Sequence, residues 1–283
     1  MNHMDNYLSE LEEFLLLRNL SDNSKKNYIS CIKRFLKWLF EQSLIPEAAT
    51  FSDIRQFLIE LRSIHKLSPR TVNAYCSEIK FFWICVLKKQ WDKYQVPMAK
   101  FDSKLPEIIS HEDAINLIES FDNLRDKTIV ALMYGSGLRI SEACQLKCEN
   151  INRKDMTILI EKSKSREARL SKLSLNTLLL LEDYWRKCGK PMDYLFPGRD
   201  RSKPVTPGTI SNHLKKASLS IGFKHHVKCH SFRHAYALYL YNHGTDLLTI
   251  QKLLGHKSIT STTIYVRLSH LKNIDVVSPM DAN

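Results

Sequence analysis

The chain alternates between stretches whose apolar residues return every three or four positions and stretches where that period breaks. In "SDNSKKNYISCIKRFLKWLFEQ", Tyr28, Ile32, Phe35, Leu36 and Leu39 fall on one face of a helix, with Ser21 placed to cap its start. "MDNYLSELEEFLLLRN" and "FSDIRQFLIELRSIH" carry the same period. So does "LSPRTVNAYCSEIKFFWICVLKKQW", with Ser68 as N-cap, Pro69 as first helical residue, and Tyr75, Ile79, Phe82 and Val86 as its stripe. The first part is therefore expected to be a four-helix domain, residues 1–96.

From 97 to 109 the period lapses and Pro97 and Pro106 appear, which predicts a linker. Residues 110–283 form the expected second domain, of mixed type. Ser110 caps "HEDAINLIESF", with Asp113 at the N3 position. "DKTIVALMYGSG" reads as a buried helix ending at glycine, and "RISEACQLK" as a short helix. "MTILIEK" and "ARLSKLS" alternate and are β-branched, so they predict two strands joined through "SKSRE". "NTLLLLEDYWRKCG", "TPGTISNHLKKASLSIG", "SFRHAYALYLYNHG" and "DLLTIQKLLG" are further helices. The fold class is mainly α with a small β-sheet.

Charge sharpens this picture. Lys and Arg number 42 against 30 Asp and Glu, a net charge of +12 and a pI of about 9.3. Residues 1–100 hold 15 basic against 11 acidic residues and residues 101–283 hold 27 against 19, so both halves share the excess. A polyanionic partner, most simply nucleic acid, suits such a balance. Lys25, Lys26, Lys33, Arg34 and Lys37 on the second helix, and Arg70 and Lys80 on the fourth, lie off the apolar stripes. They fit a solvated charged face or a DNA-facing one. No apolar run reaches about 18 residues, so no membrane span is expected. The N-terminus lacks a signal-peptide pattern. Seven cysteines without repeated spacing read as reduced thiols of a cytoplasmic protein.

Chemistry concentrates in the second part. In "GSGLRISEA", Gly135 and Gly137 bracket a tight passage, and Arg139 is expected in the first turn of the next helix, where a guanidinium can meet an anion. Glu142 stands three residues on as an i,i+3 partner. In "HSFRH", His230 and Arg233 share a helix face, and Ser231 is a candidate cap. An ordinary surface arginine and a cationic helix end explain these residues equally well when each is taken alone. In "LLGHKSITSTTIY", Leu253 and Leu254 read as core and Gly255 stops a helix; His256 follows it, and Tyr265 stands nine residues beyond His256. A metal-binding carboxylate cluster and a Gly-rich nucleotide loop are both missing. Taken together, two arginines and two histidines can stabilise charge on a phosphodiester under in-line attack without metal. A tyrosine hydroxyl can be the nucleophile if a neighbour takes its proton. The covalent phosphotyrosyl link would conserve bond energy, and the leaving oxygen would need a general acid.

"GSGLRISEACQL", "HSFRHAYALYLYNHGTDLLTIQKLLGHKSITSTTIY" and the linker "KLPEIIS" resemble the tyrosine recombinase (phage integrase) family, in register from about residue 8 to residue 270. The C-terminal motifs are specific; the N-terminal half matches more loosely, at "LSDNSKKNYISCIKRFLKWL" and "LSPRTVNAY". The resemblance implies a helical SAM-like core-site DNA-binding domain followed by a mixed α/β catalytic domain. It implies that Tyr265 is the nucleophile of a 3′-phosphotyrosyl bond, that Arg139 and Arg233 clamp the phosphate, that His230 assists proton transfer, that His256 donates a further hydrogen bond, and that Glu142 supports the arginines. The family also has a β-hairpin lysine as general acid. Here its Gly-Lys-Gly lead-in is replaced by "EKSKSREARLSKL", and Lys172 stands at the usual proline of that strand. Lys164 keeps the family spacing to Arg169, Leu170 and Leu173; Lys162 competes but needs a two-residue insertion.

By the same resemblance the partner is a double-stranded core site with inverted half-sites. Protomers associate to dimers and tetramers on DNA, exchange strands through a Holliday junction, and pack the tail after Tyr265 on a neighbouring protomer. No metal or cofactor is implied. The compact chain resembles Xer-type recombinases, with dimer or cointegrate resolution, or integration and excision of a mobile element, as the implied tasks. A catalytically silent DNA-binding protein is disfavoured by the intact site positions. The small helical N-terminal domain and "LLGH" disfavour a type IB topoisomerase, and the missing carboxylate clusters disfavour a metal-dependent nuclease.

Overall fold

A computed structural model describes residues 3–101, 105–161, 167–223 and 227–269. The chain divides into two compact units, residues 1–103 and 104–283.

The first unit is a bundle of α1 (His3–Leu17), α2 (Asp22–Glu41), α3 (Phe51–Ser63) and α4 (Pro69–Cys85). Helix starts are fixed by short polar side chains that satisfy otherwise unpaired N–H groups. Ser21 accepts from Ser24 N, Ser68 from Thr71 N, and Thr50 and Asp53 close a reciprocal capping box. The α2 stripe buries Ile32, Phe35, Leu36 and Leu39 against Ile54, Phe57, Leu61, Ile79 and Phe82. Each such apolar side chain contributes about 1.5–3 kcal/mol when removed from water. Helix α4 stops at Cys85, earlier than the apolar pattern suggests, because Val86 and Leu87 both turn their N–H groups back to Phe82 O. The apolar residues beyond it line the same core from a loop, as Val96 and Trp91 do.

The second unit is built around α6 (Leu124–Gly135), whose Thr128–Met133 run is buried on every side. Around it lie α5 (His111–Glu119), α7 (Ile140–Cys144), α8 (Leu175–Lys187), α9 (Pro207–Ser220), α10 (Cys229–Asn242), α11 (Leu247–Leu254) and α12 (Ile264–Leu268). Among the described residues the sheet has three antiparallel strands, β1 (Ile151–Asn152), β2 (Thr157–Ile160) and β3 (Arg169–Lys172), in that order. The predicted hairpin is β2–β3, with Ile158 opposite Ser171 and Ile160 opposite Arg169. Strand β1 is too short to leave a period in the sequence. Ile158 and Ile160 face the core while Leu159 faces out. The described residues are thus mainly helical with a small sheet, as the patterning predicts. No helix among the described residues is long and apolar enough to cross a membrane.

Candidate active site

Three local structures deliver the predicted side chains. The first is the passage from α6 to α7. Gly137 adopts φ +63°, a left-handed conformation that glycine tolerates, and turns the chain so that Arg139 becomes the N-cap of α7. It stands one position before the first turn, where it was expected. The anion at this helix start is internal: Glu142 Oε2 accepts from Arg139 N at 2.8 Å, and its Oε1 accepts from Arg139 Nη1 at 2.7 Å.

The second is the start of α10. Ser231 does not cap it. The helix begins two residues earlier, after Lys228, and Ser231 N donates to Lys228 O within the first turn. That start leaves His230 and Arg233 on one face and buries Arg233 to 1% exposure. Arg233 Nη1 donates to Gly137 O at 2.6 Å, and Nη2 donates to Leu254 O. Its Nε is buried without a partner among the described residues, a donor suited to an anion oxygen. Burial, then the nearby Arg139 charge, pulls Arg233 down to about 9, so it remains charged at neutral pH.

The third is the end of α11. Gly255, at φ +59°, terminates it in the left-handed conformation, as the sequence suggests. Leu254 is buried, while Leu253 is only half-buried because α11 offers the core a narrow stripe. Gly255 O accepts from Arg139 Nη2 at 3.4 Å, and His256 follows, with its Nδ1 2.9 Å from Thr262 Oγ1. Tyr265 lies one residue into α12 and is fully buried.

Arg139, Arg233, His256 and Tyr265 thus come together, although they are spread over more than a hundred residues of chain. Burial, then the charges of Arg233 and Arg139 with His230 and His234 nearby, holds His256 down to about 3. Burial pushes the Tyr265 phenol up to about 12, against the pull of both guanidinium groups. His230 joins the group through His234, its ring centroid 4.3 Å away.

Two residues were missed by the sequence reasoning. The Tyr265 hydroxyl meets His234 Nδ1 at 3.1 Å. His234 closes the "HSFRH" motif, one turn after His230, and that spacing was the available signal. Arg169, used only as a spacing marker, forms a two-pronged pair with Glu142 at 2.7 and 3.0 Å and donates from Nε to Leu253 O at 2.9 Å. Burial alone would raise Glu142; its bonds to Arg169 and then Arg139 hold it at about 2. Glu142 therefore serves three arginines, since Arg233 Nη1 also lies 3.8 Å from it.

Lys164 and its competitor Lys162 lie outside the described residues. In the first unit, Lys26 and Lys33 on α2 and Arg70 and Lys80 on α4 are exposed, while Lys25 and Arg34 are half-buried. Arg34 stacks over the Tyr75 ring at 5.9 Å. No group of three or more His, Cys, Asp or Glu able to hold a metal occurs among the described residues.

Residues 106–271 match the Phage integrase family, and residues 7–93 match the phage integrase N-terminal SAM-like domain. Tyrosine recombinase XerA of Pyrococcus horikoshii is 32% identical over 267 residues, 93% of this chain and 90% of that protein. Tyrosine recombinase XerD of Rickettsia bellii is 30% identical over 304 aligned positions, 98% of this chain and 99% of that protein. Among solved structures, the XerH recombinase bound to a palindromic difH substrate shares the fold, with a TM-score of 0.74, 20% identity, and coverage of 94% of this chain and 82% of that one. With relatives of this identity along nearly its whole length, the chain belongs to the phage integrase family.

Proposed function

We propose that this protein is a site-specific DNA recombinase that cuts and rejoins strands through a 3′-phosphotyrosyl intermediate on Tyr265. The observation that carries this reading is the convergence of Arg139, Arg233 and His256 on a tyrosine whose hydroxyl lies 3.1 Å from a histidine ring nitrogen, Nδ1 of His234. Once α12 has presented it, the phenol oxygen attacks phosphorus and its proton passes to the histidine pair of α10. The bond to the 5′-oxygen breaks, and that oxygen takes a proton from the hairpin lysine, Lys164 in preference to Lys162. Arg139 and Arg233 stabilise charge on the non-bridging oxygens, and His256 adds a third donor. Glu142 holds the two arginines in place. The phosphotyrosyl bond keeps the energy of the phosphodiester, so attack by a 5′-hydroxyl reseals the strand without ATP or metal.

Residues 1–96 are assigned to core-site binding, 97–109 to a linker and 110–283 to catalysis. Basic α2 and α4 supply phosphate contacts through Lys25, Lys26, Lys33, Arg34, Arg70 and Lys80. The DNA is a core site with inverted half-sites. Pairs of protomers assemble into tetramers, the tail beyond Tyr265 packs on a neighbour, and exchange passes through a Holliday junction. The biological task is resolution of dimers or cointegrates, or movement of a mobile element. The assignment to recombination draws support from the XerA and XerD tyrosine recombinase relatives, and the assignment of a palindromic DNA partner from XerH, a neighbour bound to such a substrate.

The test uses nicked duplexes recovered by binding selection from a random-sequence library. Incubated without metal or ATP, the wild-type protein is expected to form a covalent protein–DNA adduct and Tyr265→Phe none. No adduct from wild type, or an equal amount from Tyr265→Phe, overturns the reading.

A further inference from the structure

The eight residues between His256 and Tyr265 contain a polar contact that the proposed chemistry does not use. Thr262 Oγ1 lies 2.9 Å from His256 Nδ1. Thr262 is fully buried, and buried hydroxyls require a partner. Among the described residues this is the hydroxyl's one hydrogen bond.

Proton counting decides the direction of that bond. A hydroxyl has one hydrogen, and a neutral imidazole has one donor and one acceptor nitrogen. If His256 carried its proton on Nδ1, it would donate to Thr262, and the buried hydroxyl hydrogen would have no acceptor. If Thr262 donates to Nδ1, both groups are satisfied and the ring proton sits on Nε2. A neutral ring is what its surroundings impose, through burial first and the Arg233 and Arg139 charges next.

We infer that Thr262 is a positioning residue: its hydroxyl donates to Nδ1 and fixes His256 as the Nε2–H tautomer, the form that can donate to a phosphate oxygen. The inference rests on the recombinase reading for its catalytic consequence, not for the hydrogen bond. The backbone of His256 is already pinned in both directions, its N–H donating to Gln251 O at 3.1 Å and its C=O accepting from Gln251 Nε2 at 3.0 Å. Rotation of the ring is the freedom that remains, and Thr262 removes it. Threonine suits the task because branching at Cβ stiffens χ1.

Thr262 also faces the nucleophile. Its carbonyl accepts from Tyr265 N at 3.0 Å, and its own N–H donates to Ile259 O at 2.7 Å. A shift of the segment that carries Tyr265 therefore pulls on the residue that orients His256. The loop histidine and the nucleophile are linked through one side chain.

The experiment compares wild type, Thr262→Val, Thr262→Ser and Tyr265→Phe in adduct formation on the nicked duplex at pH 7. Valine keeps the buried volume and removes the donor. Thr262→Val is expected to slow adduct formation about tenfold, the factor one ordinary hydrogen bond carries, and Thr262→Ser to stay within about twofold of wild type. Nitrogen-15 spectra of histidine-labelled protein, with His256 assigned by a His256→Asn variant, read the tautomer directly. Wild type is expected to show Nε2–H, and Thr262→Val a mixture. An Nδ1–H ring in wild type, or wild-type rates in Thr262→Val, overturns the inference. If wild type forms no adduct, the recombinase reading fails, while the tautomer spectrum still decides the hydrogen bond.

Discussion

The Tyr265 hydroxyl lies 3.1 Å from His234 Nδ1, with the two rings 5.9 Å apart and inclined by 58°. Both partners are held in their neutral forms. Burial, then the His230 and Arg233 charges, holds His234 down to about 4, and burial pushes the phenol up to about 12. The contact is therefore a neutral hydrogen bond at pH 7, and it sets the ring nitrogen of His234 beside the hydroxyl whose proton the proposed attack would have to release.

The same depression predicts how stability depends on pH. An unfolded histidine titrates near pH 6.5, whereas His234 and His256 titrate at about 4 and about 3 in the folded chain. Between about pH 6.5 and pH 4 the unfolded state binds more protons, so stability falls as pH falls. The slope is up to about 1.4 kcal/mol per pH unit for each histidine. Thermal melts across this window are expected to show a steep decline for wild type and a shallower one for His234→Asn combined with His256→Asn. Equal slopes would show that neither ring is buried neutral.

Glu142 gives a second prediction. Its carboxylate accepts from Arg139 and Arg169 and lies 3.8 Å from Arg233, which is 1% exposed. Removing one charge of a buried network strands the others. Glu142→Gln is expected to destabilise the protein by about 3 kcal/mol in urea denaturation, although glutamine nearly matches the shape. Because Glu142 is held at about 2, the wild type keeps this contribution at neutral pH and loses it only as pH falls from about 4.5 toward 2. A loss below about 0.5 kcal/mol would mean that the guanidinium groups are solvated after all.

The helix-forming part of this fold was legible because amphipathic spacing and short polar caps act locally. Ser21, Ser68 and Ser110 each cap the helix they announce. Gly255 ends α11 for a reason that is likewise local, its positive φ. The partnership of His234 with Tyr265 was not legible, because it depends on how α12 lies against α10, and no period along the chain encodes that. Arg169 was missed for a similar reason: a charged residue on a short strand looks solvated until Glu142 and the carbonyl end of α11 close around it. Ser231 misled because a serine near a helix start suggests a cap, whereas the backbone turns at Lys228 and leaves it inside the first turn.

Two glycines test how the site is held from behind. A Cβ on Gly137 would come within 2.4 Å of the Tyr236 ring and 3.2 Å of Leu254, at φ +63°. The Gly137 carbonyl also accepts from Arg233. Gly137→Ala is expected to cost about 3 kcal/mol, combining left-handed strain and overpacking. At Gly189, φ is also positive, +80°, but nothing lies within 4 Å. Gly189→Ala should therefore cost only about 1 kcal/mol. Denaturation midpoints of the two variants separate backbone strain from the clash, and equal losses would rule out the Tyr236 contact as the cause.

The basic helices predict a division of labour between contact and packing. Lys26 and Lys33 are exposed on α2, so their replacement by alanine leaves the bundle intact, with stability unchanged within about 0.5 kcal/mol. If each meets a phosphate, binding to duplex weakens at low salt, and the slope of log affinity against log salt becomes shallower by about one per residue. Arg34 differs, because it is half-buried and stacked over Tyr75. Arg34→Ala is expected to lower the melting temperature as well as the affinity, since both the stem and the cation–π contact are lost. Fluorescence-anisotropy titrations at several salt concentrations, paired with melts of the same variants, measure both effects. An unchanged salt slope in Lys26→Ala and Lys33→Ala would place the DNA on another face of the bundle.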